Sequence, residues 1–371
     1  MNKTLVLILM ALLFGLFGCG DQSSRVNKPA QDSSPTPNLE SSLTFNDITL
    51  DQADEQGRPL WKVKAKQATY NQNKKIAQVQ SPAGELFQDG KVAYQISAAQ
   101  GEIHQDGKQL FLEGKIVAID PKNGVVLHGN ELEWRPQEDL LIVRNKLTGT
   151  RQQVQVVAQE ARVFSRAHRM ELQGQVVATS TTPHLQLRTE HLIWQIRDQK
   201  IVGDRPVQID RFKDETITDR ATANQAEFNL KTKTATLKQN AQLALIDPPL
   251  QVSSNELVWN LNSQTLMSDQ PVRMLHRQQQ VTLTSNQGRM DLQKKIVYLT
   301  GNVYGIGQRG QSIKASQLTW YVPNQDFEAE GNVVYRQVEP PVSFTGPKAF
   351  GKLQNQSIIV SGGGVVTQIT P

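Results

Sequence analysis

The chain has 371 residues, 38% of them hydrophobic and 20% charged, a globular balance long enough for one large domain or two smaller ones. This excludes a wholly disordered chain and a polytopic membrane protein. The formal charge of +5 comes without a long Lys/Arg run and so offers no nucleic-acid groove, and a single cysteine, Cys19, excludes an internal disulfide.

The first expected element is an export signal over residues 1–19. Lys3 supplies the positive region, "LVLILMALLFGLFG" runs from Leu5 to Gly18 without a charge, and Cys19 follows directly. That run is shorter than the ~20 residues a bilayer span needs. Leu16-Phe17-Gly18-Cys19 resembles a bacterial lipobox, with Phe17 bulkier than the pattern prefers. The expectation is a lipidated Cys19 that anchors the chain to a membrane; the alternative is an uncleaved N-terminal segment. Removal of Lys3 with the signal would leave a charge of 39 − 35 = +4. Residues 20–42, "GDQSSRVNKPAQDSSPTPNLESS", hold three prolines and almost nothing apolar, which predicts a disordered tether with a reach of roughly 25 Å.

From residue 43 onward the sequence reads as strand. "LWKVKAK" places Trp61, Val63 and Ala65 on one face and Lys62, Lys64 and Lys66 on the other, the period of a half-buried strand. One pattern then recurs: an apolar residue, a polar turn of about four, and an alternating strand. Its anchors are Tyr70, Ile103, Trp134, Val163, Trp194, Phe228, Trp259, Met290, Trp320 and Phe350, which makes about ten units of ~31 residues. From Trp134 every second unit carries Leu two places before a Trp (Leu132, Leu192, Leu257, Leu318), until Lys348 breaks the alternation. The larger period of ~61 residues suggests that successive units meet different surroundings, as two sheets of a sandwich do. Each Trp of this ladder could bury ~150–250 Å², worth roughly 4–6 kcal/mol gross.

After each turn a strand follows that is interrupted midway: "LEGKI", "LQGQV", "LTGNV", "AEGNVV" and "DQPVRM", with Asn240 expected in the glycine's place in "LKQNAQL". The interruption predicts a bend or bulge. Asp89-Gly90 and Asn123-Gly124 signal hairpins at the opposite end of the units, so the strands should run antiparallel. The expected fold is all-β, an elongated antiparallel two-sheet body; a right-handed parallel β-helix is the competing architecture.

No catalytic constellation stands out. His104, His128, His168, His184, His191 and His276 are scattered without metal-ligand spacing, and no cofactor is expected. "GIGQRG" at 305–310 matches GxGxxG, but strand-like alternation follows it where a dinucleotide site needs a helix, so it reads as a loop.

The stretch from "LTFNDITLDQADEQGRPLWKVKAKQATY" through "YQISAAQGEIHQDGKQLFLEGKIVAI" resembles the LptC family of lipopolysaccharide export proteins. The motif residues are Gly57, Pro59, Trp61, Val63 and Ala65, then Ala99, Gly101 and Ile103, then Leu112, Gly114 and Ile116. Residues 43–190 carry the LptC-like part, and 191–371 continue more loosely as repeats similar to LptA and the organic-solvent-tolerance (OstA) proteins, in one continuous body. The resemblance implies an elongated β-jellyroll whose apolar trough takes lipopolysaccharide acyl chains from an inner-membrane ABC transporter of the Lpt system. It further implies delivery to an LptA-like or outer-membrane translocon jellyroll, in the periplasm and without enzymatic activity; the alternatives are a structural surface lipoprotein and a β-helix polysaccharide-active enzyme. Two departures are the chain's length, about twice that of an ordinary member, and a lipid anchor in place of a membrane helix. The inward residues expected to line the trough are Trp134, Trp194, Trp259, Trp320, Ile116, Val176 and Val303; Lys62, Lys64 and Lys66 are candidates to meet lipid phosphates.

Overall fold

Apolar and polar side chains alternate through most of the chain, and the backbone answers with strands. The computed structural model describes residues 42–71, 75–104, 106–352 and 357–362, together with the backbone of 366–369. The expected signal lies outside these residues, as does the tether except for Ser42, which already opens the strand Ser42–Ala53. The described residues form 28 strands and no helix, so none of them supplies a helix long and apolar enough to cross a membrane. Pro59–Asn71 shows the local cause: Trp61, Val63 and Ala65 are buried while Lys62, Lys64 and Lys66 face out.

The repeat is a hairpin of constant register. Trp134 pairs with Leu141, Val163 with Met170, Trp194 with Ile201, Phe228 with Ala235, Trp259 with Leu266 and Trp320 with Phe327, each across its polar turn. Every pairing in the structure is antiparallel, as between Leu110–Asp120 and Val125–Arg135. The parallel β-helix is thereby excluded, because its coils would pair in parallel. Phe350 leaves the pattern: it points outward and is 43% exposed, while Ala349 takes the inward place.

Two walls arise because the long strands bend at their middle. In Arg169–Thr181 the register with its neighbour shifts between Gln173 and Val176, and in Ile296–Ile306 between Thr300 and Val303. Each interruption foreseen at "GK", "GQ" and "GN" is a pair of consecutive left-handed residues: Gly114-Lys115, Gly174-Gln175, Gly301-Asn302 and Gly331-Asn332. Such a pair turns the strand without ending it, and glycine bears the first left-handed position at no steric cost. In the copy at 237–241 that first position is held by Gln239, not by Asn240, which takes the second.

Elsewhere the break is complete. Lys200–Gly203 pairs within one wall and Val207–Lys213 within the other, the chain crossing between them at 204–206; Thr265–Ser268 and Val272–His276 do the same around "DQP". One wall thus holds the strand ends that carry Trp134, Trp194, Trp259 and Trp320, here the tryptophan wall. The other, the facing wall, holds the half-strands beyond the bends.

The core lies between the walls in two clusters. One extends from Trp61 to Leu192 and the other from Val207 to Ala349, with the half-buried Leu187 packed against both. On the outside of this seam Asp210, which is fully buried, accepts hydrogen bonds from Arg188 (2.8 Å), Arg220 (2.6 Å) and Gln208 (2.8 Å). Burial by itself would raise its carboxyl pKa; donation from Arg220, Gln208 and Arg188 outweighs burial and holds it below the ordinary value. These residues tie the strand His184–Gln195 to Val207–Lys213 and Thr216–Ala223 where the apolar core is interrupted. The described residues belong to one compact unit.

Candidate functional site

The interior face is apolar along the body. Ile116, Val176 and Val303 are all buried there, as are Leu132, Leu192, Leu257 and Leu318 on the tryptophan wall. Trp134, Trp259 and Trp320 are at most 2% exposed, while Trp194, beside the seam, is only partly buried. Strand alternation brings the four indoles to matching places, since each stands one hairpin register from its turn. The indole Nε1 of all four, and of Trp61, is buried without a hydrogen-bond partner. An orphan donor costs about 1–3 kcal/mol, which a phenylalanine at the same place would not incur.

Each ladder indole is covered from the opposite wall by a side chain with a polar tip. Tyr94 meets Trp134 edge-on at 5.9 Å, the Arg151 guanidinium lies over Trp194 at 4.9 Å, Arg211 over Trp259 at 5.5 Å, and His276 tilts against Trp320 at 5.6 Å. The first cover comes from two strands earlier in the facing wall and the other three from three strands earlier. The walls are offset by that stagger. No local sequence signal marks these four residues, because each is brought to its indole by pairing across several hairpins.

The turns of the two walls also clasp each other. At the N-terminal end Arg166 pairs with Asp89 (3.0 Å) and the Tyr94 hydroxyl with Ser165 (2.5 Å). Asp139 accepts from the Arg166 N–H at 2.7 Å, and the Gln88 amide, oriented to satisfy both neighbours, donates to Asp139 at 2.9 Å and accepts from Arg166 at 2.7 Å. Burial, the largest influence, raises the Asp139 carboxyl pKa, whereas the Arg166 hydrogen bond holds that of exposed Asp89 down. Farther along, Arg211 donates to Gln264 at 3.1 Å and is held by Asp219, and Lys295 meets Asp247 at 2.9 Å.

Toward the C-terminal end the seal is incomplete. A cavity of about 70 Å³ opens between the walls, its apolar lining including Leu283, Ile306, Ile313, Trp320, Phe327 and Tyr335. Of the loop expected at 305–310, Gly305 and Ile306 still belong to the strand Ile296–Ile306 and only 307–310 form the connection; Gly305, Ile306 and Gly307 border the cavity. Lys62, Lys64 and Lys66 lie on the outer surface of Pro59–Asn71, away from the interior. Cys19 is outside the described residues. Among the described residues no group of three His, Cys, Asp or Glu side chains could hold a metal ion.

The arrangement offers apolar volume and hydrogen-bond donors, and its walls are joined across one side only by non-covalent contacts. No curated protein matches the chain. Among solved structures it is similar to LptH of Pseudomonas aeruginosa, described as the LptA homologous periplasmic component of the lipopolysaccharide transport device. The likeness has 7% identity and a TM-score of 0.21 over 39% of this chain and 81% of that one, too slight to carry an argument. A family model described as "Lipopolysaccharide-assembly, LptC-related" matches residues 6–140 and 139–246, well over half of the sequence. The chain belongs to the LptC-related lipopolysaccharide-assembly family.

Proposed function

We propose that the protein carries lipopolysaccharide by holding its acyl chains between the two walls, as a bridge from an inner-membrane ABC transporter toward an LptA-like or outer-membrane jellyroll. Members of this family are non-enzymatic transport proteins, and the chain is not an enzyme. The observation that carries the reading is the interior: apolar from Trp61 to Leu192 and again from Val207 to Ala349, with Leu187 packed against both clusters, bordering a cavity toward the C-terminal end, and closed along its mouth only by side-chain contacts. Each methylene moved into water costs ~0.8 kcal/mol, so a twelve-carbon chain would meet a penalty on the order of 9 kcal/mol in crossing an aqueous compartment bare. An apolar path removes that cost without chemistry, and the driving energy comes from the transporter's ATPase. The lining residues are Trp134, Trp194, Trp259, Trp320, Ile116, Val176 and Val303. The protein works in the periplasm, attached to the inner membrane through lipidated Cys19 or an uncleaved N-terminal segment.

Photo-crosslinking in cells tests this. A photoreactive residue at Trp194 or at Ile313, which is buried and lines the cavity, should capture lipopolysaccharide, and the capture should stop when ATP is depleted. Gln175, exposed at a bend, serves as the outward control. Folded protein that captures lipid at none of the inward positions, or equally at Gln175, would refute the carrier reading.

A further inference from the structure

The four covers differ in what else they hold. Tyr94 is engaged by Ser165, Arg211 is paired with Asp219, and burial lowers the His276 pKa, which disfavours its charged form. Arg151 is otherwise: its Nε donates to the Asn123 carbonyl at 3.0 Å, and among the described residues no carboxylate lies within ion-pair distance of it. Its guanidinium therefore has several donors without a carboxylate partner, lying over Trp194, the ladder indole that is least buried, beside the seam between the two core clusters. The Trp194 Nε1 is itself buried and unpartnered. Donors meet here without a carboxylate in ion-pair distance of Arg151, against the apolar cluster on which Trp194 packs.

A contact between a cation and an indole is worth about 0.5–2 kcal/mol, whereas a guanidinium and a phosphate form short charge-assisted bonds of roughly twice ordinary strength. An anionic group arriving at the mouth would thus compete well for Arg151. We propose that Arg151, with the Trp194 N–H, receives the phosphate ester of an amphiphile whose chains lie between the walls. The residue is a determinant of headgroup specificity, and Arg211, already neutralised by Asp219, remains a clasp. This rests on the carrier reading and adds to it the chemistry of the lipid's polar end.

The test uses the purified full chain and two lipids with brominated acyl chains, phosphatidic acid and diacylglycerol, which quench tryptophan fluorescence when the chains enter. The wild type should bind the phosphate-bearing lipid about tenfold more tightly, a difference of ~1.4 kcal/mol. Arg151→Gln should remove most of that preference while leaving diacylglycerol binding unchanged. Arg151→Lys should retain part of the preference, and Arg197→Gln, at an exposed turn, should retain it all. A preference that survives Arg151→Gln, or that falls equally with Arg197→Gln, overturns the headgroup site while chain binding stands. Failure of the wild type to bind either lipid overturns the carrier reading and the headgroup site together.

Discussion

The surroundings of Trp134 and Trp320 are built from the same hairpin, each indole facing its partner seven residues on, Leu141 or Phe327. They differ in how the facing wall closes over them. Above Trp134 the Tyr94 ring is fixed by Ser165 from the opposite turn, and Asp89, Asp139, Gln88 and Arg166 complete a cross-wall network. Above Trp320 the imidazole of His276 is fixed only locally, accepting from the Gln279 N–H at 3.2 Å, and a cavity lies alongside. A repeated hairpin thus specifies the walls, while the distance between them is governed by side chains that the repeat does not specify. The Trp134 region carries the denser cross-wall network, and the Trp320 region borders a cavity.

The largest expected effect compares the two indoles directly. Trp134→Ala should destabilise its half of the protein by about 3–5 kcal/mol, since the ring is wholly enclosed and its loss leaves a void that tied walls cannot close. Trp320→Ala should cost less, on the order of 2–3 kcal/mol, because the cavity already forfeits part of the packing around that ring. Hydrogen exchange in Leu140–Arg151 and in Asp326–Gln337 reads each half separately. Equal losses would mean that the cavity makes no energetic difference.

A smaller effect, opposite in sign at the two ends, should appear in mild acid. Burial holds the His276 pKa below its ordinary 6.5, so the unfolded chain binds the proton more tightly than the folded one. Its stabilisation is present above about pH 6.5 and is lost as the pH falls toward the folded value. Asp139 behaves the other way: burial raises its pKa above 3.8, so its contribution is full below that value and is lost as the pH rises through the folded pKa. Lowering the pH from 7 to 5 should therefore loosen the Trp320 region and not the Trp134 region, and His276→Phe should abolish the difference. Exchange protection that falls uniformly along the body would contradict this assignment.

How much of this was legible in the sequence follows from what is local. The hairpin register at Trp134, Trp194, Trp259 and Trp320 could be read because anchor, turn and partner lie within one unit, and the bends at Gly114, Gly174 and Gly301 because a left-handed position favours glycine. The inward placing of Ile116, Val176 and Val303 followed from period-two alternation. Tyr94, Arg151, Arg211 and His276 were invisible as covers, since each meets an indole more than one repeat farther along the chain, through a stagger between walls that only strand pairing fixes. The misplaced assignment at Asn240 has a related cause: a bend formed by two left-handed residues can be written with Gln239 first, a choice that composition does not announce. The sequence around Phe350 resembles one more anchor because its turn looks alike, yet the strand there is displaced by one residue and presents Ala349 inward, with Phe327 packed over Gly351 where any side chain would collide.

The smallest effect concerns the clasp itself. Asp89 and Arg166 are each more than half exposed, and an exposed pair of this kind is worth about 0–1 kcal/mol. Asp89→Asn should hence shift stability by less than 1 kcal/mol in denaturant titration. If the clasp matters for loading, its effect should show instead in the rate at which brominated lipid reaches Trp134, faster in Asp89→Asn than in the wild type, with no change at Trp320. On the proposed carrier reading a weak tie is the expected kind of closure: a barrier built from desolvated charges would be costly to break, whereas partners that water can replace separate at little cost. Should the rate at Trp134 stay unchanged while stability drops by several kcal/mol, the pair would be part of the framework and not a closure.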